Sequence, residues 1–287
     1  MECEVLKALI VTVAYNPPAS VVQNLEIDFY PHLVVDNSDQ ETIWLKDYCN
    51  QHGHEYRWLG ENLGIAKALN VGAEYAIQQR FEYIVTMDQD SELTQLYLFD
   101  MEHFIDSYAL VNNVSVFSPT HLVGEEQKSF CKYSVEKTIH TMASGNFVFL
   151  KSWSSLKGFD EKLFIDAVDT DFYIRSLLSD QVVLVCKHIF LRHRMGNMPT
   201  SRWIGKYGFD VWNHSAVRKY YIARNYTYIV NKYLKYLPEV KYYQKIIYKM
   251  PISIILFEDD KLRKLWCLFY GYFDFLRGKY GKFKSET

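Results

Sequence analysis

The 287-residue sequence has no C-x-x-C pair; its five cysteines, at positions 3, 49, 131, 186 and 267, are scattered. That spacing argues against a disulfide framework or a zinc site, and it fits a reducing compartment. G-x-G-x-x-G and G-K-[S/T] are both missing, which argues against a dinucleotide fingerprint and against a P-loop. The longest apolar run near the end, residues 250–257, is far too short to span a bilayer. The first residues, Met1-Glu2-Cys3-Glu4-Val5, are acidic and pass straight into an apolar run, unlike a signal peptide. No internal repeat and no low-complexity tract is present. These absences point to a cytoplasmic protein, soluble or peripheral at the inner face of the cell membrane.

What is present is globular in composition, with 49% hydrophobic residues and an unusually high 23 tyrosines. The net charge of -2 conceals an asymmetry. Residues 232–287 carry 12 Lys/Arg against 6 Asp/Glu, net +6, so residues 1–231 carry 20 against 28, net -8. A basic, aromatic ending on an acidic body suggests a polyanionic neighbour such as a phospholipid surface. An ordinary solvated helical face is the other reading.

The first 120 residues alternate apolar β-type runs with helical patterns. Residues 6–14 (LKALIVTVA) read as a strand buried on both faces, stopped by Tyr15-Asn16-Pro17-Pro18, with Ser20 placed to cap a helix. Leu33-Val34-Val35 is a short strand ending at Asp36; residues 42–52 read as a helix and 56–59 as a third strand. Ile65, Leu69, Gly72 and Ala76 recur at i, i+4, i+7 and i+11, a helical stripe whose small members allow close packing on a sheet. Asn62 stands where a cap for that helix would be. Ile84-Val85 leads into Asp88-Gln89-Asp90-Ser91, and residues 114–117 form a further strand. This is the pattern of a doubly wound α/β sheet, which binds ligands beyond the carboxyl ends of its strands. The later chain has a small-residue turn into a strand at 141–150, a turn at 157–160, and Asp166, Asp169 and Asp171 before a helix. A strand follows at 182–185, and long helical segments begin at Ala216.

These residue types suggest a chemistry. Asp88 and Asp90, delivered to a sheet rim, suit Mg²⁺ or Mn²⁺, which take substrate phosphates as further ligands. A strand ending in an Asp/Ser-rich turn is the simpler reading. His193 is the best third ligand, with a surface or core histidine as its alternative. A displacement by a hydroxyl needs a base within reach, and a helix N-terminus keeps a carboxylate ionised; that brings in Asp166, Asp169 and Asp171. Asp169 and Asp171 cannot point the same way, so they have different jobs. Asp36 can accept from a nucleobase N–H, while Asn62, Lys67 and Asn70 can meet ribose or diphosphate. Lys67 has a second reading as a solvated side chain, and Asn62 as a cap alone.

In order and spacing, V-D-N-S-D, E-N-L-G-I-A-K-A-L-N-V-G, M-D-Q-D-S, S-G-N-F, G-F-D-E-K-L-F-I-D-A-V-D-T-D-F-Y-I-R and R-H-R-M-G resemble the inverting family 2 nucleotide-sugar glycosyltransferases. The branch it looks like is the bacterial rhamnosyltransferases, over roughly residues 6–235. The resemblance implies an α/β GT-A fold, with a mixed, mostly parallel sheet flanked by helices and a helical C-terminal extension. It implies a catalytic domain over 1–215, divided into a donor half (1–120) and an acceptor half (121–215), and a basic extension over 216–287. It implies Tyr15, Asp36, Asn62, Lys67, Asn70 and Asp88 on the donor, Asp90 and His193 on Mg²⁺ or Mn²⁺, and Asp169 as general base. Asp166, Asp171, Gly145 and Asn146 would serve the acceptor side or support it. Many relatives carry an acidic pair where this chain has Val168-Asp169, which leaves Asp169 as the base of the pair and Asp166 as its understudy. The implied donor is dTDP-rhamnose or a UDP-sugar, and the implied acceptor a lipid-linked saccharide; no nucleic acid is expected. Two other classes match these residues less well. A nucleotidyltransferase would show a Gly-rich basic loop where this chain has Tyr15-Asn16-Pro17-Pro18. A sugar-binding module has no need of metal, base and nucleotide pocket together.

Overall fold

The computed structural model describes residues 8–27, 29–108, 113–123, 134–193, 200–204 and 207–284. Its elements run, in chain order, β1 (Ala8–Ala14), α1 (Val22–Leu25), β2 (His32–Asp36), α2 (Ile43–His52), β3 (Glu55–Trp58), α3 (Ile65–Gln78), β4 (Tyr83–Asp88) and β5 (Ser91–Glu92). Then come α4 (Gln95–Ser107), β6 (Val114–Val123), β7 (Val135–Lys137), β8 (Asn146–Phe149), α5 (Leu150–Ser155), α6 (Val168–Leu178) and β9 (Val182–His193). The chain ends through β10 (Thr200–Ile204), β11 (Tyr207–Val211), α7 (Ala216–Tyr233), α8 (Lys241–Phe257) and α9 (Lys261–Leu276). Two compact units emerge. One is residues 1–160 with 169–195; the other is residues 161–168 with 196–287.

The first unit is built on a sheet of order β3-β2-β1-β4-β8-β6-β9-β5, with β7 beside β9. β1 is parallel to both β2 and β4, and β2 to β3; β8 runs antiparallel between β4 and β6. The α/β expectation of a mixed, mostly parallel sheet is met. β1 leads to β2 on one side and, after α3, the chain returns to β4 on its other side. That reversal opens a crevice at the carboxyl ends of β1 and β4, where an open α/β sheet takes its ligand. Pairing fixes what lies there: Ala14 partners Asp36, and Val13 partners Asp88.

Every residue of β1 and β2 is buried, as a strand covered on both faces requires. α3 lays Leu69, Gly72 and Ala76 on the sheet, all buried. A Cβ at Gly72 would collide with Val11 Cγ1, so this helix rests on β1 only because position 72 has no side chain. On the opposite face α4 packs Tyr97, Leu98, Met101 and Phe104 against Val85, Met87, Phe117, Phe147 and Leu184. α4, the short strands β5 and β7 and the β10–β11 hairpin have no counterpart in the sequence reading. Two caps differ from it. Ser20 lies inside a 3₁₀ turn whose N-cap is Pro18, and α3 starts after Gly64, at φ 91, with Asn62 two residues upstream. Asp169 and Asp171 fall within the first turn of α6 rather than before it. Cys49, Cys186 and Cys267 are free and buried.

The second unit packs α7 against α8 and α9. At its centre Arg224 is fully buried. Its guanidinium donates to the carbonyls of Leu163 (3.2 Å) and Gly281 (2.8 Å), and Asn225 Nδ2 donates to those of Leu163, Ile165 and Asp166. Phe164 stacks on Tyr221 at 5.2 Å. These contacts hold a loop in which Phe164, Asp166 and Ala167 all take positive φ, a backbone state that needs outside support in non-glycine residues.

Candidate active site

β4 ends on Asp88, half-buried at the sheet rim, and the chain turns through Gln89 and the exposed Asp90 into β5. β5 is only Ser91 and Glu92, yet its antiparallel pairing sets Ser91 opposite His193 at the end of β9. One ligand atom each from Asp88, Asp90 and His193 lie within 4.8 Å of one another. Residues distant in the chain are thus gathered by a two-residue strand.

The cluster is held from below by short polar contacts. Ser91 Oγ lies 2.7 Å from His193 Nδ1, and Ser144 Oγ donates to Ser91 Oγ at 2.7 Å. Ser144 Oγ also accepts the Asp88 N–H at 3.1 Å, while His121 Nε2 is 2.7 Å from the Ser144 carbonyl. Asn24, from α1, clamps the same turn: its Nδ2 donates to the Ser91 carbonyl at 2.7 Å and its Oδ1 accepts from Leu93 N at 2.9 Å. On the β1 side, Gln89 exchanges hydrogen bonds with the backbone of Tyr15, accepting from its N–H at 2.8 Å and donating to its carbonyl at 3.2 Å.

Burial lowers the His193 pKa, and the nearby Asp90 carboxylate pulls the other way without reversing it. The ring is therefore neutral near pH 7, the form a metal requires. Two carboxylates and one neutral imidazole make an oxygen-rich donor set that fits Mg²⁺ or Mn²⁺. His121 is held further down, to about 4, by its burial, so it stays an uncharged support.

Asp36 is fully buried and its oxygens are engaged. Oδ1 accepts from Ser38 N at 3.0 Å; Oδ2 accepts from Thr42 N at 2.9 Å and Tyr56 Oη at 2.6 Å. Burial works to raise its pKa, but the bonds from Ser38, Tyr56 and Thr42 outweigh it and the net direction is down. Asn62 Oδ1 accepts from Asn37 Nδ2 and Gly64 N, both at 3.1 Å, tying the loop after β2 to the start of α3. Lys67 is half-buried on the first turns of α3. Asn70 reaches toward the 157–160 turn, accepting from Phe159 N at 2.8 Å and donating to its carbonyl at 2.9 Å.

That turn is gripped from α6 as well. Asp171 is fully buried and accepts from Arg175 Nε at 2.6 Å, while Arg175 donates to the carbonyls of Leu156 and Gly158. Asp169 is half-buried in the first turn of α6 and accepts from the Thr170 N–H at 2.8 Å. Gly145, at φ 76, receives the Tyr97 hydroxyl on its carbonyl and donates to the Thr86 carbonyl at 2.6 Å. A Cβ there would come within 2.5 Å of Leu191 Cδ2. Asn146, at the start of β8, donates to the Met142 carbonyl at 2.9 Å and to the Tyr173 hydroxyl at 2.5 Å. In the second unit, Asp166 Oδ1 accepts from Arg218 Nη2 at 3.1 Å and Nε at 3.3 Å. Among the described residues its buried Oδ2 has no hydrogen-bond partner, and burial raises its pKa against the pull of Arg218.

A family model described as glycosyl transferase family 2 matches residues 11–153, the stretch that includes the carboxyl end of β1, the crevice and the Asp88–Asp90 turn. The chain belongs to glycosyltransferase family 2. Its reaction class is glycosyl transfer from a nucleotide-sugar donor. Among curated relatives of this glycosyltransferase is the dTDP-rhamnosyl transferase RfbF of Shigella flexneri, 25% identical over 273 residues that cover 88% of each chain. Among solved structures, S. aureus TarS (residues 1–349, with UDP) shares the fold at TM-score 0.55 and 14% identity, covering 97% of this chain and 94% of that one. The glycosyltransferase spans 44% of the longer TarS chain. GalNAc-T7 with UDP, GalNAc and Mn²⁺ aligns at TM-score 0.59 and 12% identity, over 96% of this chain and 57% of that one. These likenesses establish the GT-A fold of the family 2 glycosyltransferase.

The sequence reading missed Asn24, Ser144 and His121 as supports of the cluster. Ser91 had a signal, since it completes the D-x-D-S run; Asn24 had none, because its partners are backbone atoms 67 and 69 residues away.

Proposed function

We propose that the chain moves L-rhamnose from dTDP-rhamnose to a hydroxyl of a lipid-linked or growing polysaccharide, inverting the anomeric carbon in a Mg²⁺- or Mn²⁺-dependent reaction. The observation that carries the metal-dependent part is the meeting of Asp88, Asp90 and His193 beside the crevice at the end of β4. Asp90 and His193 hold the cation, with Asp88 beside them facing ribose and diphosphate. When bound, the ion supplies Lewis-acid stabilisation of charge on the departing diphosphate. Tyr15, Asn62 and Lys67 line the donor side. Asp36 and Asn70, engaged as they are with backbone partners, fix the walls of that side. On this reading residues 1–120 serve the donor and 121–215 the acceptor.

Asp169 takes the proton of the acceptor hydroxyl as its oxygen attacks the anomeric carbon. The bond to the nucleoside diphosphate breaks on the opposite face, through an oxocarbenium-like transition state. Asp171, through Arg175, steadies the turn before the base, and Gly145 and Asn146 border the acceptor. The rhamnosyl donor is supported by the likeness to RfbF. The TarS complexes with UDP and UDP-GlcNAc put UDP-sugars in the same test.

The test is a donor panel that follows release of nucleoside diphosphate with Mg²⁺ or Mn²⁺ present. One activated sugar should be turned over, and chelator should stop it. Asp90→Ala should abolish metal-dependent donor binding. Equal donor affinity with and without chelator in the native chain would count against the metal role, and release from a UDP-hexose alone would replace the rhamnosyl assignment.

A further inference from the structure

The side chains that α8 and α9 leave exposed are of two kinds only. On α9 they are Lys261, Leu262, Arg263, Trp266, Phe269, Tyr272, Phe273 and Leu276. Leu262, Trp266, Phe269, Phe273 and Leu276 follow i, i+4, i+7, i+11 and i+14, one face of a helix, and they are 49–86% exposed. The sole carboxylate of α9, Asp274, is turned inward and accepts from the Tyr220 hydroxyl at 2.8 Å. On α8 the same spacing runs through Lys241, Lys245, Tyr248, Ile252 and Ile255, all exposed, and the helix contains no acidic residue. The exposed carboxylates next to these helices along the chain, Glu239, Asp259 and Asp260, lie at their ends, and Asp210 of β11, which packs against α8, is exposed as well. Beyond α9, Arg277, Lys279, Lys282 and Lys284 are exposed too.

We propose that these faces of α8 and α9 dock on an anionic phospholipid surface, with the α9 stripe lying at the level of the headgroups. Large apolar side chains flanked by cations, without acids, are what an interfacial helix presents to such a membrane. Among the described residues no helix is long and apolar enough to cross one, so the contact is in the plane of the surface. A second copy of the chain is a poorer occupant. A self-complementary interface apposes the same patch from both subunits, and here that would set Lys and Arg against Lys and Arg. The inference bears on the lipid-linked acceptor of the proposed function but needs none of that chemistry.

Sedimentation of the full chain with vesicles tests it. The chain should pellet with phosphatidylcholine–phosphatidylglycerol vesicles, roughly tenfold more than with phosphatidylcholine alone, and added salt should weaken the binding. The triple variant Trp266→Glu, Phe269→Glu, Phe273→Glu should lose roughly tenfold or more of that partitioning with its far-UV circular dichroism unchanged. If the triple variant does not fold, Leu262→Glu alone, at the position 86% exposed, reads the same face. The proposal fails if the native chain stays in the supernatant with anionic vesicles. It also fails if the folded variant partitions like the native chain, or if the native chain is a dimer that the triple variant dissociates without vesicle binding. Nucleoside diphosphate release onto a water-soluble acceptor reads the glycosyl-transfer proposal separately; its absence in a chain that still pellets would sink that proposal and leave the docking surface standing.

Discussion

Replacing Asn24 with alanine strikes the candidate metal site from a residue that touches none of its ligands. Asn24 is 3% exposed and satisfies two backbone groups of the turn after Asp90, the Ser91 carbonyl and the Leu93 N–H. Alanine leaves both buried without a partner, at about 1–3 kcal/mol each, so the fold should lose about 2–5 kcal/mol. The damage should also reach the cation, because the Ser91 hydroxyl rests on His193 Nδ1. Loss of such outer support typically weakens a metal site about 10–100-fold. Asn24→Asp retains an acceptor for Leu93 but sets a buried carboxylate oxygen against the Ser91 carbonyl, so it should destabilise at least as much as alanine. Denaturant titration gives the first quantity as a lowered midpoint at unchanged slope. Mn²⁺ titration of the folded variant, by calorimetry or by the resonance signal of free Mn²⁺, gives the second. A stability loss below about 0.5 kcal/mol, the range of a neutral surface change, would refute the clamp. Native Mn²⁺ affinity in a destabilised variant would refute its link to the site.

Asp169→Asn should lower turnover by about 10²–10⁴-fold, the usual contribution of a positioned base, with donor affinity unchanged in a binding titration; equal losses in both would move Asp169 from the chemistry to the pocket wall. His121 is held near pKa 4 by burial against an ordinary 6.5. It is neutral in the fold and protonates more readily when unfolded, so its contribution is complete above pH 6.5 and is lost as pH falls toward 4. The full swing is about 3 kcal/mol, and His121→Gln should flatten stability against pH across that window. Gly72→Ala would gain about 1 kcal/mol in an open helix, but here the new methyl meets Val11 and should cost about 1–3 kcal/mol instead; a thermal midpoint equal to or above native would show that α3 can lift off β1.

The strands of the crevice were legible because each is a nearly unbroken apolar run stopped by polar residues, and the run ending in Asp88 also names its own site. The α3 stripe was legible because Leu69, Gly72 and Ala76 repeat at helical spacing. β5 was not, since two residues carry no period and owe their strand state to pairing with β9. The β10–β11 hairpin, whose Trp203 is 70% exposed, has no clean alternation to announce it. Residue types at the site were readable, and the directions of side chains were not. Nothing local shows that Asp36 turns back onto Ser38, Thr42 and Tyr56, or that Asn70 reaches 89 residues ahead to Phe159. The expected Arg192-His193-Arg194-Met195-Gly196 block is only partly within the described residues, which stop at His193 before resuming at Thr200.

The grip of Arg224 and Asn225 on residues 162–166 has a practical cost for anyone shortening the protein. Arg224 also leans on the Gly281 carbonyl and on the ring of Tyr280, so trimming the far end takes away part of what keeps three left-handed residues in place just ahead of Asp169. A truncation made to test the proposed lipid docking would therefore also disturb the approach to the proposed base, and only substitutions on the outer face of α9 separate the two effects.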